Sequence, residues 1–161
     1  AEKKGKRNML EILIIAASIV LDQLTKYWIT CGALPQGEII PGIINFTYAE
    51  NTGSAFGAFS NGTLVLTIIS ALLAVVMAVL LIKYRKKAGK LASVALSMII
   101  GGAIGNLIDR ALQGFVTDFI EFDFVRFAIF NVADCFVFIG VILLMIYILF
   151  IHDKREAKEV K

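Results

Sequence analysis

Two aspartates, Asp118 and Asp134, are the side chains of this sequence best suited to acid–base chemistry. Two carboxyl groups brought together in a poorly solvated place cannot easily both ionise, so such a pair shares one proton. The ionised member can activate a water molecule while the protonated member hydrogen-bonds a carbonyl oxygen. No other set competes, because the only histidine, His152, lies at the opposite end of an apolar run and there is no Ser–Lys pair or histidine-rich metal cluster.

The composition indicates that the elements positioning these residues lie in a membrane. Of 161 residues, 58% are hydrophobic and 18% are charged, whereas soluble domains average about 45–50% and about 25%. A membrane-spanning helix needs about 20 mostly apolar residues. Four segments qualify, and with the connections 32–63 and 113–130 they occupy the chain, so we predict an all-α, four-transmembrane-helix bundle forming one domain over residues 1–161. The predicted spans are 9–31, 64–82, 91–108 and 132–151.

The first apolar run has a second interpretation as a cleaved signal peptide, because it has a basic start and ends at Cys31. The apolar region of a signal peptide is about 7–15 residues long and is followed by small residues. This run is longer, contains Asp22 and Lys26, and has Thr30 before the cysteine. We therefore interpret it as a retained first span.

The basic residues predict the orientation of the bundle. Of the 16 lysines and arginines, four precede the first span, five lie between the second and third, and four follow the last. The positive-inside rule makes that side cytoplasmic, so both termini are predicted to be cytoplasmic. Since these residues lie in short loops and tails beside spans, we expect attraction to lipid headgroups and no nucleic-acid partner.

Polar residues of the spans fall at one depth, near the outer ends. Asp22 and Lys26 have i,i+4 spacing and can pair on one helix face. Asn106 and Arg110 share a face of the third span, with Asp109 at its edge, and Asn131 and Asp134 open the fourth. Asp118 lies in the loop between those two antiparallel spans. The spacing therefore predicts that Asp118 and Asp134 meet at the outer mouth of the bundle.

Each of these residues also has an ordinary structural explanation. Asn131 and Asp134 fit a helix N-cap followed by an acidic third position, and Asp118 alone fits a loop carboxylate. Asp109 and Arg110 fit an interfacial ion pair. Gly101 and Gly105 have the spacing of close helix packing. Cys31 and Cys135 fit either a disulfide or two small apolar fillers.

Residues 45–48 alternate polar and aromatic side chains within the first outer connection. This pattern predicts a short strand or hairpin at the membrane surface. Because an isolated hairpin is marginally stable, it must rest on the bundle.

Five ordered motifs resemble those of the bacterial lipoprotein signal peptidases, also called signal peptidase II, along the whole chain. The motifs are DQLTK (22–26), NTGSAFG (51–57), GGAIGNLIDR (101–110), VTDFIEF (116–122) and FNVAD (130–134). The resemblance implies a membrane-embedded aspartic endopeptidase with four transmembrane helices, a small β-cradle on the extracytoplasmic face, and no cofactor or metal. Its substrates would be diacylglyceryl-modified prolipoproteins, cut just before the lipidated cysteine. The resemblance also implies a monomer in the bacterial cytoplasmic membrane, with its site near the outer leaflet.

The resemblance assigns roles to individual positions. It places the catalytic pair on Asp118 and Asp134, and it makes Asn51, Asn106 and Arg110 substrate-binding residues. The family usually has serine after the second aspartate, where this chain has Cys135. The segment around Gly53 is a candidate lid. The remaining matches are supporting positions: Asp22, Lys26, Gly53, Gly102, Gly105, Asp109, Asn131 and Ala133.

Two other functions remain as alternatives from the residues alone. A small proton-coupled transporter would use the same acidic layer, but it predicts polar residues in the cytoplasmic halves of the spans, where this sequence has few. A non-catalytic membrane scaffold predicts that both aspartates tolerate substitution.

Overall fold

The structure, a computed structural model, describes residues 2–53 and 63–152, and the structural statements below refer to those residues. Three helices and three strands follow one another in the described residues, with the first two strands consecutive. They are α1 (Glu2–Thr30), β1 (Gly37–Ile40), β2 (Ile44–Asn51), α2 (Thr63–Gln113), β3 (Val116–Phe122) and α3 (Val132–Phe150).

These three helices contain four segments long and apolar enough to cross a membrane, as predicted. They are span one (Arg7–Thr30), span two (Leu64–Tyr84), span three (Gly89–Gln113) and span four (Val132–Phe150). Spans two and three belong to α2, which is broken at Gly89 (φ 79°, ψ −173°). The basic connection at residues 83–90 is therefore helical up to Gly89, because lysine, arginine and alanine favour helix and glycine permits a positive φ.

Span three is the centre of the bundle. Two thirds of its most apolar window is buried (67%), against 6% in span two. Small residues such as Ala92, Ala95 and Ala103 are almost fully buried in it and allow neighbouring helices to approach. Span two has large apolar side chains on its exposed surface, including Leu64 and Leu72, as expected for a helix that faces lipid.

The sheet is antiparallel with strand order β1-β2-β3. The predicted strand at residues 45–48 is confirmed as part of β2. The prediction was wrong for the second outer connection, where β3 replaces the expected loop and carries Asp118, paired with Ala49 of β2. The β-branched and aromatic residues of VTDFIEF favour a strand, and its first four residues are buried. The sheet strands follow the ends of spans one and three, and β3 leads into the start of span four. The sheet therefore lies at the same end of the bundle as the polar residues of the spans.

Candidate active site

Asp134 is held by the start of span four. Asn131 is the N-cap, and its Oδ1 accepts a hydrogen bond from the Asp134 N–H at 3.0 Å. In return, Asp134 Oδ2 accepts from the Asn131 N–H at 3.2 Å. This reciprocal capping box confirms the predicted cap. It places the Asp134 carboxyl group at the first turn of the helix.

Asp118 is held by the sheet and is 2% exposed. Its Oδ2 accepts a hydrogen bond from Asn51 Nδ2 at 2.7 Å, and its Oδ1 accepts from Asn131 Nδ2 at 2.6 Å. Asn51 lies at the end of β2, where the strand register brings it beside β3. The Gly53 N–H donates to Asn51 Oδ1 at 3.0 Å, which turns the Asn51 amide nitrogen toward Asp118.

Two asparagine amides join the two carboxyl groups. Asn106 Nδ2 donates to Asp134 Oδ1 at 2.8 Å. Asn131 Nδ2, which donates to Asp118, also donates to Asn106 Oδ1 at 3.0 Å. Asp118 and Asp134 thus belong to one hydrogen-bonded network, and each of their four oxygens accepts one donor. A carboxylate oxygen has a second lone pair, so each can still accept from water or substrate.

Burial raises the pKa of the Asp118 carboxyl group from 3.8 to about 6. The negative charge of Asp134 adds to this rise, while the hydrogen bonds from Asn51 and Asn131 and the positive charge of Lys26 oppose it. A carboxyl group with such a pKa exchanges a proton near neutral pH. The site can therefore supply one ionised and one protonated carboxyl group.

A second group of polar contacts joins spans one and three. Lys26 Nζ is 2.9 Å from Asp22 Oδ2, which confirms the i,i+4 pair expected from the sequence, and 2.8 Å from Asp109 Oδ2. The ion pair of Asp109 is thus made with a cation of span one, while the adjacent Arg110 interacts with Asp109 electrostatically. Arg110 Nη1 donates to Ser70 Oγ at 3.3 Å, and its charge interacts electrostatically with Asp118 and Asp134.

The small residues of the motifs lie where helices touch. A Cβ atom built on Gly105 would lie 2.5 Å from Asp22 Oδ2, and one built on Gly102 would meet the Ala133 carbonyl oxygen. Ala133 is fully buried, and its N–H donates to Asp22 Oδ1 at 2.9 Å. Gly53 is buried beside Asn51, while the rest of the candidate lid, residues 54–62, lies outside the described residues.

Two contributors to the site were not singled out from the sequence. Gln23 Nε2 donates to Asp109 Oδ1 at 2.9 Å and to the Gly105 carbonyl oxygen at 3.2 Å. The Thr117 N–H donates to Asp109 Oδ2 at 3.2 Å. Gln23 follows Asp22 and lies three residues before Lys26, so helical spacing was an available signal. Thr117 contributes through its backbone N–H, which every residue except proline has, so its residue type could not indicate this contact.

The cysteines are not joined. Cys31 is exposed and Cys135 is partly buried. Cys135 and Asp134 line a largely apolar cavity of about 560 Å³, together with aromatic side chains that include Phe127, Phe130 and Phe138. His152 packs against Tyr147 beyond the other end of span four. Within residues 2–53 and 63–152, no group of three or more His, Cys, Asp or Glu is arranged to hold a metal ion.

Comparisons with known proteins agree on one family. Residues 14–150 match the family model described as Signal peptidase (SPase) II. The lipoprotein signal peptidase of Clostridium acetobutylicum is 42% identical over 155 residues, covering 92% of this chain and 99% of that protein. That of Enterococcus faecalis is 41% identical over 152 residues, covering 92% of each. A solved bacterial membrane enzyme structure superposes with a TM-score of 0.76 at 36% identity, covering 87% of both chains. The matching family model, these relatives and this shared four-span fold together show that the chain belongs to the signal peptidase II family.

Proposed function

We propose that this protein is an aspartic endopeptidase that removes signal peptides from diacylglyceryl-modified prolipoproteins by cutting before the lipidated cysteine. The observation that carries the proposal is the pair of carboxyl groups, Asp118 and Asp134, linked through the amides of Asn131 and Asn106. The relatives named lipoprotein signal peptidases support the substrate class. Membership of this family gives the transporter alternative no support.

The proposed reaction is hydrolysis of one peptide bond. The ionised carboxylate of the pair accepts a proton from water, whose oxygen attacks the scissile carbonyl carbon. The protonated carboxyl group donates to the carbonyl oxygen, and a tetrahedral intermediate forms. On collapse the C–N bond breaks and the nitrogen of the cysteine takes a proton from the pair. The products are a signal peptide with a new carboxylate and a lipoprotein with a free cysteine amine.

The asparagines and Arg110 have different proposed roles in the site. Both ends of the Asn51 amide are engaged, by Asp118 and by the Gly53 N–H, and the Asn106 amide is engaged by Asp134 and Lys26. We therefore assign these two asparagines to orienting the aspartates. Arg110, whose rigid guanidinium has five N–H donors and bonds Ser70, is the residue we assign to holding carbonyl groups of the substrate backbone.

The surroundings suit a lipidated substrate. The cavity beside Asp134 has aromatic walls and is about 560 Å³, and an apolar site of this kind accepts the signal helix or an acyl chain. With basic residues of the loops on the cytoplasmic side, the pair faces the outer leaflet, where the lipidated cysteine lies. The two aspartates and the asparagines that hold them form a connected network within a single copy of the chain, and we propose that the monomer is the active unit.

The test is cleavage of a diacylglyceryl-modified prolipoprotein by the purified protein in detergent, followed by gel mobility. Asp118→Asn and Asp134→Asn should each lower the rate by about 100- to 10,000-fold, the usual contribution of an acid or base. Asp123→Asn is the matched control, because Asp123 is an exposed carboxylate in the same connection, and it should keep the full rate. An unlipidated precursor should remain uncut. Full activity in both pair variants would refute catalysis by the two aspartates, and absence of cleavage by wild type would favour a non-catalytic scaffold.

A further inference from the structure

Lys26 is a buried cation whose donors are all in use. Its side chain is 5% exposed, and its Nζ lies 2.9 Å from Asp22 Oδ2 and 2.8 Å from Asp109 Oδ2. It also donates to Asn106 Oδ1 at 2.9 Å. An ammonium group has three N–H donors. The three contacts therefore account for its full hydrogen-bonding capacity, and they come from spans one and three.

The two carboxylate partners of Lys26 each hold the backbone next to a member of the pair. Asp22 Oδ1 accepts from the N–H of Ala133, the residue before Asp134, at 2.9 Å. Asp109 Oδ2 accepts from the N–H of Thr117, the residue before Asp118, at 3.2 Å. Lys26 thus lies between two similar chains of contacts. One runs through Asp22 to the start of span four, and the other runs through Asp109 to β3.

The third partner reaches the pair through a side chain. Because an ammonium group only donates, Asn106 must present its Oδ1 to Lys26. Its Nδ2 is then turned to Asp134 Oδ1, 2.8 Å away. The same Oδ1 accepts from Asn131 Nδ2 at 3.0 Å, and that nitrogen also donates to Asp118 Oδ1. The orientation of the Asn106 amide is therefore dictated by Lys26.

We propose that Lys26 is the positioning residue that sets where the two aspartates stand relative to each other and keeps the pair singly ionised. This inference rests on the proposed function, since it assigns a role within that same site. Lys26 touches neither the water nor the peptide in the reaction. It acts through Asp22, Asp109 and Asn106, and through its charge.

At this end of the bundle the aspartates outnumber the cations, so the positive charge of Lys26 affects how readily the pair ionises. Asp22 of span one, Asp109 of span three, Asp118 of β3 and Asp134 of span four face two cations, Lys26 and Arg110. The charge of Lys26 favours the ionised form of Asp118. Without it, ionising either member of the pair becomes less favourable, so the pH range in which the pair carries one proton moves upward.

The first experiment compares Lys26→Met with wild type in the prolipoprotein assay, as kcat and KM over a range of pH. We expect kcat to fall about 100-fold, as a misplacement of about 1 Å can cause, with KM little changed. The pH optimum should rise by about one unit. Arg7→Met is the matched control, because Arg7 forms an i,i+4 ion pair with Glu11 at the other end of the same helix, and it should keep both values.

Two further variants separate positioning from folding. Lys26→Met leaves two buried carboxylates without their cation, which destabilises a fold strongly. Lys26→Met combined with Asp109→Asn removes one cation and one carboxylate together, so the local charge changes little. The folded double variant should keep the low kcat, with a smaller rise in pH optimum than Lys26→Met alone. Lys26→Arg keeps the charge but presents a planar fork instead of three divergent donors, so kcat should fall while the pH optimum stays near that of wild type.

The outcomes distinguish this inference from the proposed function. Inactive Asp118→Asn and Asp134→Asn proteins, together with folded Lys26 variants that keep wild-type kcat and pH optimum, would overturn only the role of Lys26. A loss of activity that merely follows the folded fraction, with an unchanged pH profile in every Lys26 variant, would also overturn it. Absence of cleavage by wild type, or full activity of both aspartate variants, would overturn the function itself.

Discussion

The two aspartates are held by different means. Asp134 is fixed by its own helix start, through a capping box with Asn131. Asp118 is fixed by side chains from elsewhere in the chain, Asn51 and Asn131, and it is almost fully buried. The capping box that holds Asp134 is formed within one helix turn, so small shifts between elements do not break it. The contacts that hold Asp118 depend on how the sheet packs against the bundle. At the residue scale, Asp118 is therefore the member of the pair most sensitive to its surroundings.

The raised pKa of Asp118 predicts how stability changes with pH. Since its pKa is raised from 3.8 to about 6 on folding, its contribution to stability is complete below about pH 4 and is lost as pH rises through about 6. Asp118→Asn cannot ionise, so the variant should gain stability relative to wild type between pH 4 and pH 8. Two pKa units correspond to at most about 3 kcal/mol.

Thermal unfolding in detergent at both pH values measures this change. The Asn side chain also loses one acceptor for the donors of Asn51 and Asn131, so the variant should be the less stable protein at pH 4. The informative quantity is the change in the Tm difference between the two pH values. The exposed Asp123→Asn control should show a much smaller change, and a Tm difference for Asp118→Asn that is equal at both pH values contradicts the raised pKa.

At the element scale, the site depends on how closely span three approaches its neighbours. Gly101 and Gly105 face span one, where added Cβ atoms would lie 2.5 Å from Ser18 Cβ and from Asp22 Oδ2. Gly102 faces the start of span four instead, against the backbone of Ala133. Glycines one residue apart thus serve two different interfaces, which brings Asp22 and Ala133 together around one helix. The Gly-x-x-x-Gly spacing is accounted for by this packing.

Gly105→Ala should disturb both stability and activity. The new methyl group must displace Asp22, whose two oxygens hold Lys26 and the Ala133 N–H. We expect a loss of about 1–3 kcal/mol of stability from overpacking, and a fall in cleavage rate larger than the fall in folded protein. Ala111→Val is the control, since Ala111 is exposed on the same helix. Wild-type Tm and activity in Gly105→Ala would show that the interface can relax.

At the scale of the whole molecule, polar chemistry lies at one end of an otherwise apolar bundle. The sheet, the aspartate pair and Lys26 lie where spans one and three end and span four begins. The opposite end carries the basic connection between spans two and three. This division lets the apolar surfaces of the spans meet lipid while the site meets the water at one face.

The orientation predicted from the charges can be tested by labelling in whole cells. In a background with Cys31→Ser and Cys135→Ser, Gln36→Cys introduces a thiol at an exposed position before β1, and Lys83→Cys introduces one near the end of span two. A membrane-impermeant maleimide should label the first in intact cells and the second only after the cells are opened. The reverse pattern would place the site on the cytoplasmic side.

The features that could be predicted from the sequence are those determined over a few residues. Four apolar runs of sufficient length predicted four spans, because the bilayer requires that length. The capping box of Asn131 and Asp134 and the ion pair of Asp22 with Lys26 follow from spacings of three and four residues, which a helix turns into contacts. The order of the motifs along the chain identified the family before any contact was known.

The contacts between distant segments were decided only by the tertiary structure. Asp118 was expected in a loop and lies on β3, because pairing with β2 and burial against the bundle stabilise a strand that its β-branched and aromatic residues also favour. Asp109 pairs with Lys26 across two helices instead of with the adjacent Arg110, since the glycine interface brings span one within reach. The sequence by itself determined which polar side chains share one end of the bundle. Packing determined which of them touch, because register and helix approach depend on the whole chain.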